Sequence, residues 1–490
     1  MNSCRIFSII IFCFFAFEGN AKTLSPLDFG LKEARTDIER YEVLLRTHTQ
    51  AVNLGKAVSY KGINLITIEI PKEGRTIPLS YKTDFAGVTI IVKNKAKKIA
   101  LFELRKERYS IKLSKAQLSS GTFKNVNDIC RGRKLLIIED QTKWVTQRTG
   151  YSSGAMRKDI LYLKQGKIRN SVVAKYDDEE STPAFYWCQA GAKQVIVKNL
   201  TFERTTDSDF ITNLFVFFNA ENILVKNVKT ITPSNTGLYG DCIMAFNNCA
   251  NIRVEDITIE GTYSSKDKYG YGIGMDNVWN VSFLRLKAYG EWGVFGNNNV
   301  NYATLEDCDI NRFDIHCYGK DVYCKNTVFR DLYNQFSSLY GTLWFEGCHF
   351  LSFVPVLFES SYSAYTHFNL IIENCIIDVD SKRPYLINGG NPANLSATPR
   401  NELSRAYWPD IKIKNLTVNV NEELNNWFLF YIKVGKESDI NGIKSINIDG
   451  LRINSADKKP NVRLSNQKVV FRNPLNVSLS NSNVPEVVVN

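Results

Sequence analysis

Val195-Ile196-Val197-Lys198-Asn199-Leu200 returns as Ile223-Leu224-Val225-Lys226-Asn227-Val228 and again as Ile252-Arg253-Val254-Glu255-Asp256-Ile257. Further copies begin at Val281, Ala303, Val322, Leu343, Leu370 and Ile411, and a weak one at Ser445. Neighbouring starts up to Ile411 lie 19 to 41 residues apart. Each copy alternates apolar and polar side chains at period two, which is a strand pattern. A unit this short cannot bury its apolar face alone, so the copies must stack as a solenoid. The strand periodicity excludes helical repeats, the spacing of leucine-rich repeats is absent, and propeller blades need about 40 residues each. A parallel β-helix remains, one coil per copy.

Two columns support it. The fifth position reads Asn199, Asn227, Asp256, Arg285, Asp307, Asn326, Gly347, Asn374 and Asn415. Stacked asparagines hydrogen-bond along a ladder and tolerate the left-handed backbone of a bend. The sixth position reads Leu200, Val228, Ile257, Leu286, Cys308, Thr327, Cys348, Cys375 and Leu416, an interior column. The ends differ. An amphipathic helix is expected over 36–55, with Ile38, Tyr41, Leu44 and Leu45 on one side, capping the first coil. Strand-like pieces follow at 66–70, 88–92 and 135–138. Residues 140–190 read either as a lateral loop bearing sugar contacts or as early coils with long turns. The expected organisation is a signal peptide at 1–21, an N-terminal cap at 22–60, a single-domain solenoid at 61–454 and a C-terminal cap or tail at 455–490.

Residues 1–21 have a basic start at Arg5, an apolar run over 6–17, and Gly19-Asn20-Ala21 as a cleavage site. The run is too short to span a membrane, and no later segment has the length to do so. An exported protein, periplasmic or secreted and monomeric, is expected. Its net charge of +11 suits a polyanion. Export points to an acidic polysaccharide rather than nucleic acid, and a merely soluble basic protein is the plain alternative. Removing Cys4 and Cys13 from the eleven cysteines leaves an odd nine, against a complete disulfide framework. No CxxC pair occurs to suggest zinc.

The most reactive stretch is Arg312-Phe313-Asp314-Ile315-His316-Cys317-Tyr318-Gly319-Lys320. At period two, Arg312, Asp314, His316, Tyr318 and Lys320 share an outward face. Solvated strands rarely concentrate such groups. Matching the coils by eye sets Gly272-Ile273-Gly274-Met275-Asp276 beside Gly293-Val294-Phe295-Gly296-Asn297. Residues 314–318 and 336–340 come next. That match gives one column of Asp276, Asn297, Tyr318 and Tyr340, and another of Gly274, Phe295, His316 and Ser338. Tyr271, Trp292 and Phe295 would floor a trough for stacking on sugar rings. Asp314 reads as a support of His316 and Tyr340 equally as a surface aromatic. Arg312 is the member that a bend could carry out of the cluster. No cofactor is implied, although Asp276 and Asn297 offer hard oxygens that would suit calcium.

The repeats, with Leu27-Asp28-Phe29-Gly30 and Ile66-Thr67-Ile68-Glu69-Ile70-Pro71 before them, resemble the pectin-lyase-like superfamily of right-handed parallel β-helices. The resemblance spans about 27–454 and speaks to fold more than to reaction. Polygalacturonase-type hydrolases of that superfamily carry Asp-Asp-Cys and a further upstream Asp. Here Gly240-Asp241-Cys242 lacks the first Asp, and Asn235-Thr236-Gly237 lacks the upstream one. The chain looks more like β-helical polysaccharide lyases of gut Bacteroidetes, including those acting on chondroitin sulfate. The resemblance implies a lyase acting on a uronic-acid glycan such as a glycosaminoglycan. A uronate lyase must neutralise the carboxylate, remove the C5 proton and protonate the departing O4. His316 is the expected base and Tyr318 the acid, with Asn297, Arg312 and Lys320 clamping the carboxylate. Exchanged roles for His316 and Tyr318, or Lys320 as base, stay open. So do a hydrolase using Asp241 and Asp276, a C5 epimerase, and a non-catalytic glycan-binding solenoid.

Overall fold

Alternating Val, Ile, Leu and Phe cannot all face water, and each such side chain fully buried contributes about 1.5–3 kcal/mol. In the computed structural model these rows line one continuous interior. The structure describes residues 23–489 apart from 98, 146–154, 171–175, 177–180, 192, 206–207, 209–211, 232–242, 261–270, 289–292, 316–318, 331–332, 337–338, 352–353, 359–366, 390–408, 433–438, 441–442, 457, 467–469 and 472–473. The expected signal peptide therefore lies outside the described residues.

The repeats pair in parallel and in the register that the sequence pattern sets. Val195 lies opposite Ile223, Ile223 opposite Ile252, Ile252 opposite Val281 and Val281 opposite Ala303. The series runs on through Val322, Leu343, Leu370 and Ile411 to Ile446, one residue past the Ser445 at which the weak last copy was expected to start. The fold is an all-β parallel β-helix. The fifth position of each copy bends the chain with positive φ, from Asn199 at 64° to Asn415 at 52°. Asn199 Nδ2 donates to Asp84 Oδ1 at 2.9 Å, and Asn227 Nδ2 to Asn199 Oδ1 at 2.9 Å. Arg285 and Asp256 replace an amide rung with an ion pair. Glycine fills the same bend at Gly347 and Gly450, where a Cβ would strike the Asn326 and Asn415 side chains. The sixth column, Leu200 to Leu416, is buried throughout.

Two further ladders were not anticipated. Asn219, Asn248, Asn277 and Asn299 all have positive φ, as do Asn222, Asn251 and Asn280. Asn277 Nδ2 donates to Asn248 Oδ1 at 2.8 Å, and Asn280 Nδ2 to Asn251 Oδ1 at 2.7 Å. They bracket a short bend between a first strand and the repeat strand of the same coil.

The helix Asp37–Leu54 is capped by Thr36 and Gly55 and buries Tyr41, Leu44 and Leu45, while Ile38 stays exposed. Arg40 Nε donates to the Thr67 carbonyl at 2.8 Å, occupying a polar group of the first strand, Leu65–Ile70. Beneath the helix His48 is fully buried, its Nε2 2.9 Å from the Tyr60 hydroxyl. Burial pushes its pKa down to about 3.

Residues 106–190 leave the stack. Tyr109–Ile111, Arg133–Val145, Ala155–Lys164, Lys167–Ile168 and Pro183–Gln189 form a five-stranded antiparallel sheet beside it. The piece at 135–138, expected as part of a coil, belongs to this sheet. Its outer core holds Phe123, Leu136, Leu161 and Phe185. Its other face packs Leu135, Ile137 and Ile160 on Ala250 of the solenoid, and Tyr162 stacks on Trp279 with ring centroids 5.4 Å apart. At the far end the stack runs past residue 454, because Asn461–Ser465 pairs with Asn426–Ile432 and Asn476–Ser480 with Ser445–Ser455. Among the described residues no helix is long and apolar enough to cross a membrane.

Candidate functional site

The first strands of successive coils are Ile99–Arg105, Thr212–Phe218 and the leading parts of Met244–Glu260, Tyr271–Leu284 and Gly293–Glu306. One row across them is Glu103, Val216, Ala245, Gly274 and Gly296. The next outward row is Arg105, Phe218, Asn247, Asp276 and Asn298. The first row shrinks to small residues as the second becomes polar. The result is a cleft of about 510 Å³ also lined by Thr76 and Asn213. At ~4.8 Å per strand it spans about 19 Å, room for a few sugar rings.

At one end the Arg105 guanidinium lies 3.6 Å from the Phe218 ring centroid and its Nε sits 2.7 Å from Glu103 Oε1. Towards the other end Lys158 of the lateral sheet reaches in, its Nζ 2.6 Å from Asp276 Oδ2. Asn299 Nδ2 donates to Asp276 Oδ1 at 3.5 Å. The lateral sheet is anchored beside this pair, because Asn277 Nδ2 donates to the Asp159 carbonyl at 3.2 Å. Tyr271 lies over Gly296, where a Cβ would come within 2.5 Å of its ring. Only glycine lets that ring close over the strand.

Several expected residues fall elsewhere. Asp276 stands opposite Asn298, not Asn297, whose backbone pairs with Met275. Asn297 is described in its backbone only. Phe295 points inward, edge-on to Phe283 and Phe313, so it floors no trough. Arg312 and Asp314 do not face out. Both are fully buried and ion-paired to each other, with the guanidinium 5.1 Å from the Tyr333 ring centroid. Asp314 Oδ1 also accepts from the Gln335 amide at 3.1 Å. An exposed arginine clamp on a substrate is therefore not what this side chain forms. Lys320 pairs with Asn301, and Tyr340 with Lys320 rather than Tyr318. Those two lie at the bend, at the starts of the strands Gly319–Lys325 and Leu339–Glu346, outside the cleft rows. His316, Tyr318, Trp292 and Asp241 lie outside the described residues. Asp276 and Asn297, the two residues offered for calcium, are out of register, and Asp276 is bonded to Lys158. Among the described residues no three His, Cys, Asp or Glu side chains converge as a metal site.

Sequence reasoning missed Lys158, Asn247, Asn298 and Glu103. Asn298 was visible inside Asn297-Asn298-Asn299, but choosing among the three needs the register. Nothing in the sequence brings Lys158 to Asp276, because that contact depends on how the lateral sheet docks.

No protein-family model matches the chain, and no curated protein matches it in sequence. Solved structures do match in fold. The tailspike protein gp49 from Pseudomonas phage LKA1 aligns with 94% of this chain and 81% of its own, at a TM-score of 0.56 and 13% identity. The Gp54 tailspike of Acinetobacter baumannii bacteriophage AP22, in complex with A. baumannii capsular saccharide, aligns with 90% of this chain and 77% of its own. Its TM-score is 0.50 and its identity 11%.

Proposed function

We propose that this protein is an exported enzyme that cleaves an acidic, uronic-acid-containing polysaccharide by β-elimination, in the cleft beside the lateral sheet. The observation that carries the reading is Lys158 set against Asp276, which lines the cleft in one row with Asn247 and Asn298. A cation and neutral donors fixed on rigid strands suit a substrate carboxylate, whose negative charge grows as C5 loses its proton. That AP22 tailspike holds a capsular saccharide on the same kind of scaffold adds support. So does the net charge of +11.

In this mechanism a uronate carboxylate displaces Asp276 from the Lys158 ammonium and accepts from the asparagine amides. A base removes the C5 proton. The electron pair left behind forms the C4–C5 double bond, the C4–O4 bond breaks, and an acid protonates O4. His316 and Tyr318 are assigned these two roles from their chemistry. The described neighbours Ile315 and Gly319 hold both ends of that short segment at the solenoid.

A glycoside hydrolase is the second reading, favoured by two carboxylates in one cleft, Glu103 and Asp276. Their strands are three steps apart, roughly 14 Å between backbones. Inverting pairs stand about 6.5–9.5 Å apart, which weakens the reading. Incubation with chondroitin sulfate, heparin, hyaluronan, polygalacturonate and alginate decides between them. The lyase gives absorbance from the new C4–C5 double bond on at least one polymer. New reducing ends without that absorbance identify a hydrolase, and no product on any of them overturns both.

A further inference from the structure

The inner bend ladder reads Asn222, Asn251, Asn280, Tyr302 and Asp321, all with positive φ. Its amide rungs bond upward, as Asn251 does to Glu221 Oε1 at 3.1 Å and Asn280 to Asn251 at 2.7 Å. Below the tyrosine, Asp321 Oδ1 accepts from the Thr342 amide at 2.9 Å. Tyr302 is the odd rung. Its φ is 62° and its side chain is 37% exposed. A bulky aromatic in the left-handed region is strained, by about 1–3 kcal/mol, and a phenol cannot pass on the carboxamide hydrogen bond. Asparagine would relieve both defects, as it does one and two coils earlier. A residue that costs stability on two counts at an exposed bend marks a site kept for contact with something else.

Its surroundings say what. The Lys320 ammonium lies 5.9 Å from the Tyr302 ring centroid, and Tyr340 stands beside Lys320 on the next coil. A phenol ring near the ammonium, with a second tyrosine next to the lysine on the following coil, offers stacking faces for a pyranose ring and a charge for its carboxylate or sulfate. Tyr302 shares the strand Gly293–Glu306 with Asn298 of the cleft, four positions further on. The bend that Asn299 and Tyr302 bracket lies between them, so Tyr302 sits round the corner from the cleft at no more than about 13 Å, within reach of the next two or three sugar units of one chain.

We propose that Tyr302, Lys320 and Tyr340 form a second, non-catalytic glycan site that grips an anionic sugar beyond the cleft. It rests on the preceding reading only for the identity of the polymer.

The test measures binding of the full chain by affinity electrophoresis in gels containing polygalacturonate, alginate, chondroitin sulfate or neutral dextran, with melting temperature alongside. Tyr302→Asn is expected to melt at or above the parent protein and yet bind its acidic polymer about threefold to tenfold more weakly. Tyr302→Phe retains binding. Lys320→Gln weakens binding to the acidic polymer and leaves dextran mobility unchanged. Unaltered affinity in both Tyr302→Asn and Lys320→Gln overturns the site, as does a parent protein that no acidic polymer retards. Retardation without any cleavage product would end the lyase reading and leave this one standing.

Discussion

Asp276 and Asn298 share a row because Met275 and Val278 are claimed by the interior, which fixes the facing of every residue between them. A shift of one residue in a strand turns each side chain to the opposite face. That is how Phe295 was expected on the outer surface when Gly296 occupies it. Lys158 makes a sharp prediction at this scale. Lys158→Gln keeps the length and a donor but loses the charge, so kcat/KM on a uronate polymer should fall more than tenfold, equivalent to about 1.4 kcal/mol. Turnover of the methyl-esterified polymer, which has no carboxylate to neutralise, should fall far less. Equal losses on the two polymers would remove Lys158 from the role. His316→Ala should likewise lose more than tenfold in activity with an unchanged melting temperature. A smaller loss would move the proton transfer to another group.

Among the elements, the asparagine ladders set register where apolar rows alone would tolerate slippage. Asn277 is the rung that matters most. It is buried, takes a positive φ, bonds Asn248 and ties the Asp159 carbonyl of the lateral sheet to the solenoid. Asn277→Ala should destabilise by about 2–3 kcal/mol and exposed Asn280→Ala by about 1 kcal/mol, read by urea unfolding. If the two variants unfold alike, the tie to the lateral sheet contributes nothing. The repeat strands, the outer ladder and the interior cysteine column were all legible in sequence, because each follows from period two and a recurring bend residue. The inner ladders are spaced as regularly, at 29, 29 and 22 residues, but they lie just upstream of the repeat copies, and only the bend geometry shows that those asparagines stack. Residues 135–138 also read as a strand, yet antiparallel pairing beside the stack and parallel pairing within it demand the same Leu and Ile alternation. Arg312 and Asp314 looked like surface residues because charged side chains rarely lie fully buried unless paired. Their pairing is visible only once Tyr333 and Gln335 of the next coil close over them.

For the whole molecule, acid tolerance is set in part far from the cleft, at the cap. His48 is neutral in the folded protein, with a pKa of about 3, while an unfolded chain protonates it near 6.5. Between those values the unfolded state binds the extra proton, so stability falls as pH drops from about 6.5 towards 3, by at most about 1.4 kcal/mol per pH unit from this residue. His48→Phe should therefore flatten the decline in melting temperature between pH 6.5 and 4. An unchanged slope would mean that other groups govern acid unfolding.

The chain order of the stack has a consequence for how the protein is made. The first coil pairs at once with the second, Leu65 with Thr89 and Ile77 with Phe102, but Thr89 pairs onward with Thr201 and Arg105 with Phe218, so the second coil meets the third only after the whole lateral sheet has been synthesised between them. Every later coil pairs with one closely following it. A chain emerging from a narrow exit would thus complete the hairpin-rich lateral sheet early, from local contacts that close fast, while the first two coils wait, capped at one end and with the second coil's edge open at the other. From the arrival of residue 218 onward, assembly can proceed by zippering, each coil templating the next. Export would place its slow, aggregation-sensitive interval at a definite point: between the emergence of Arg105 and that of Phe218.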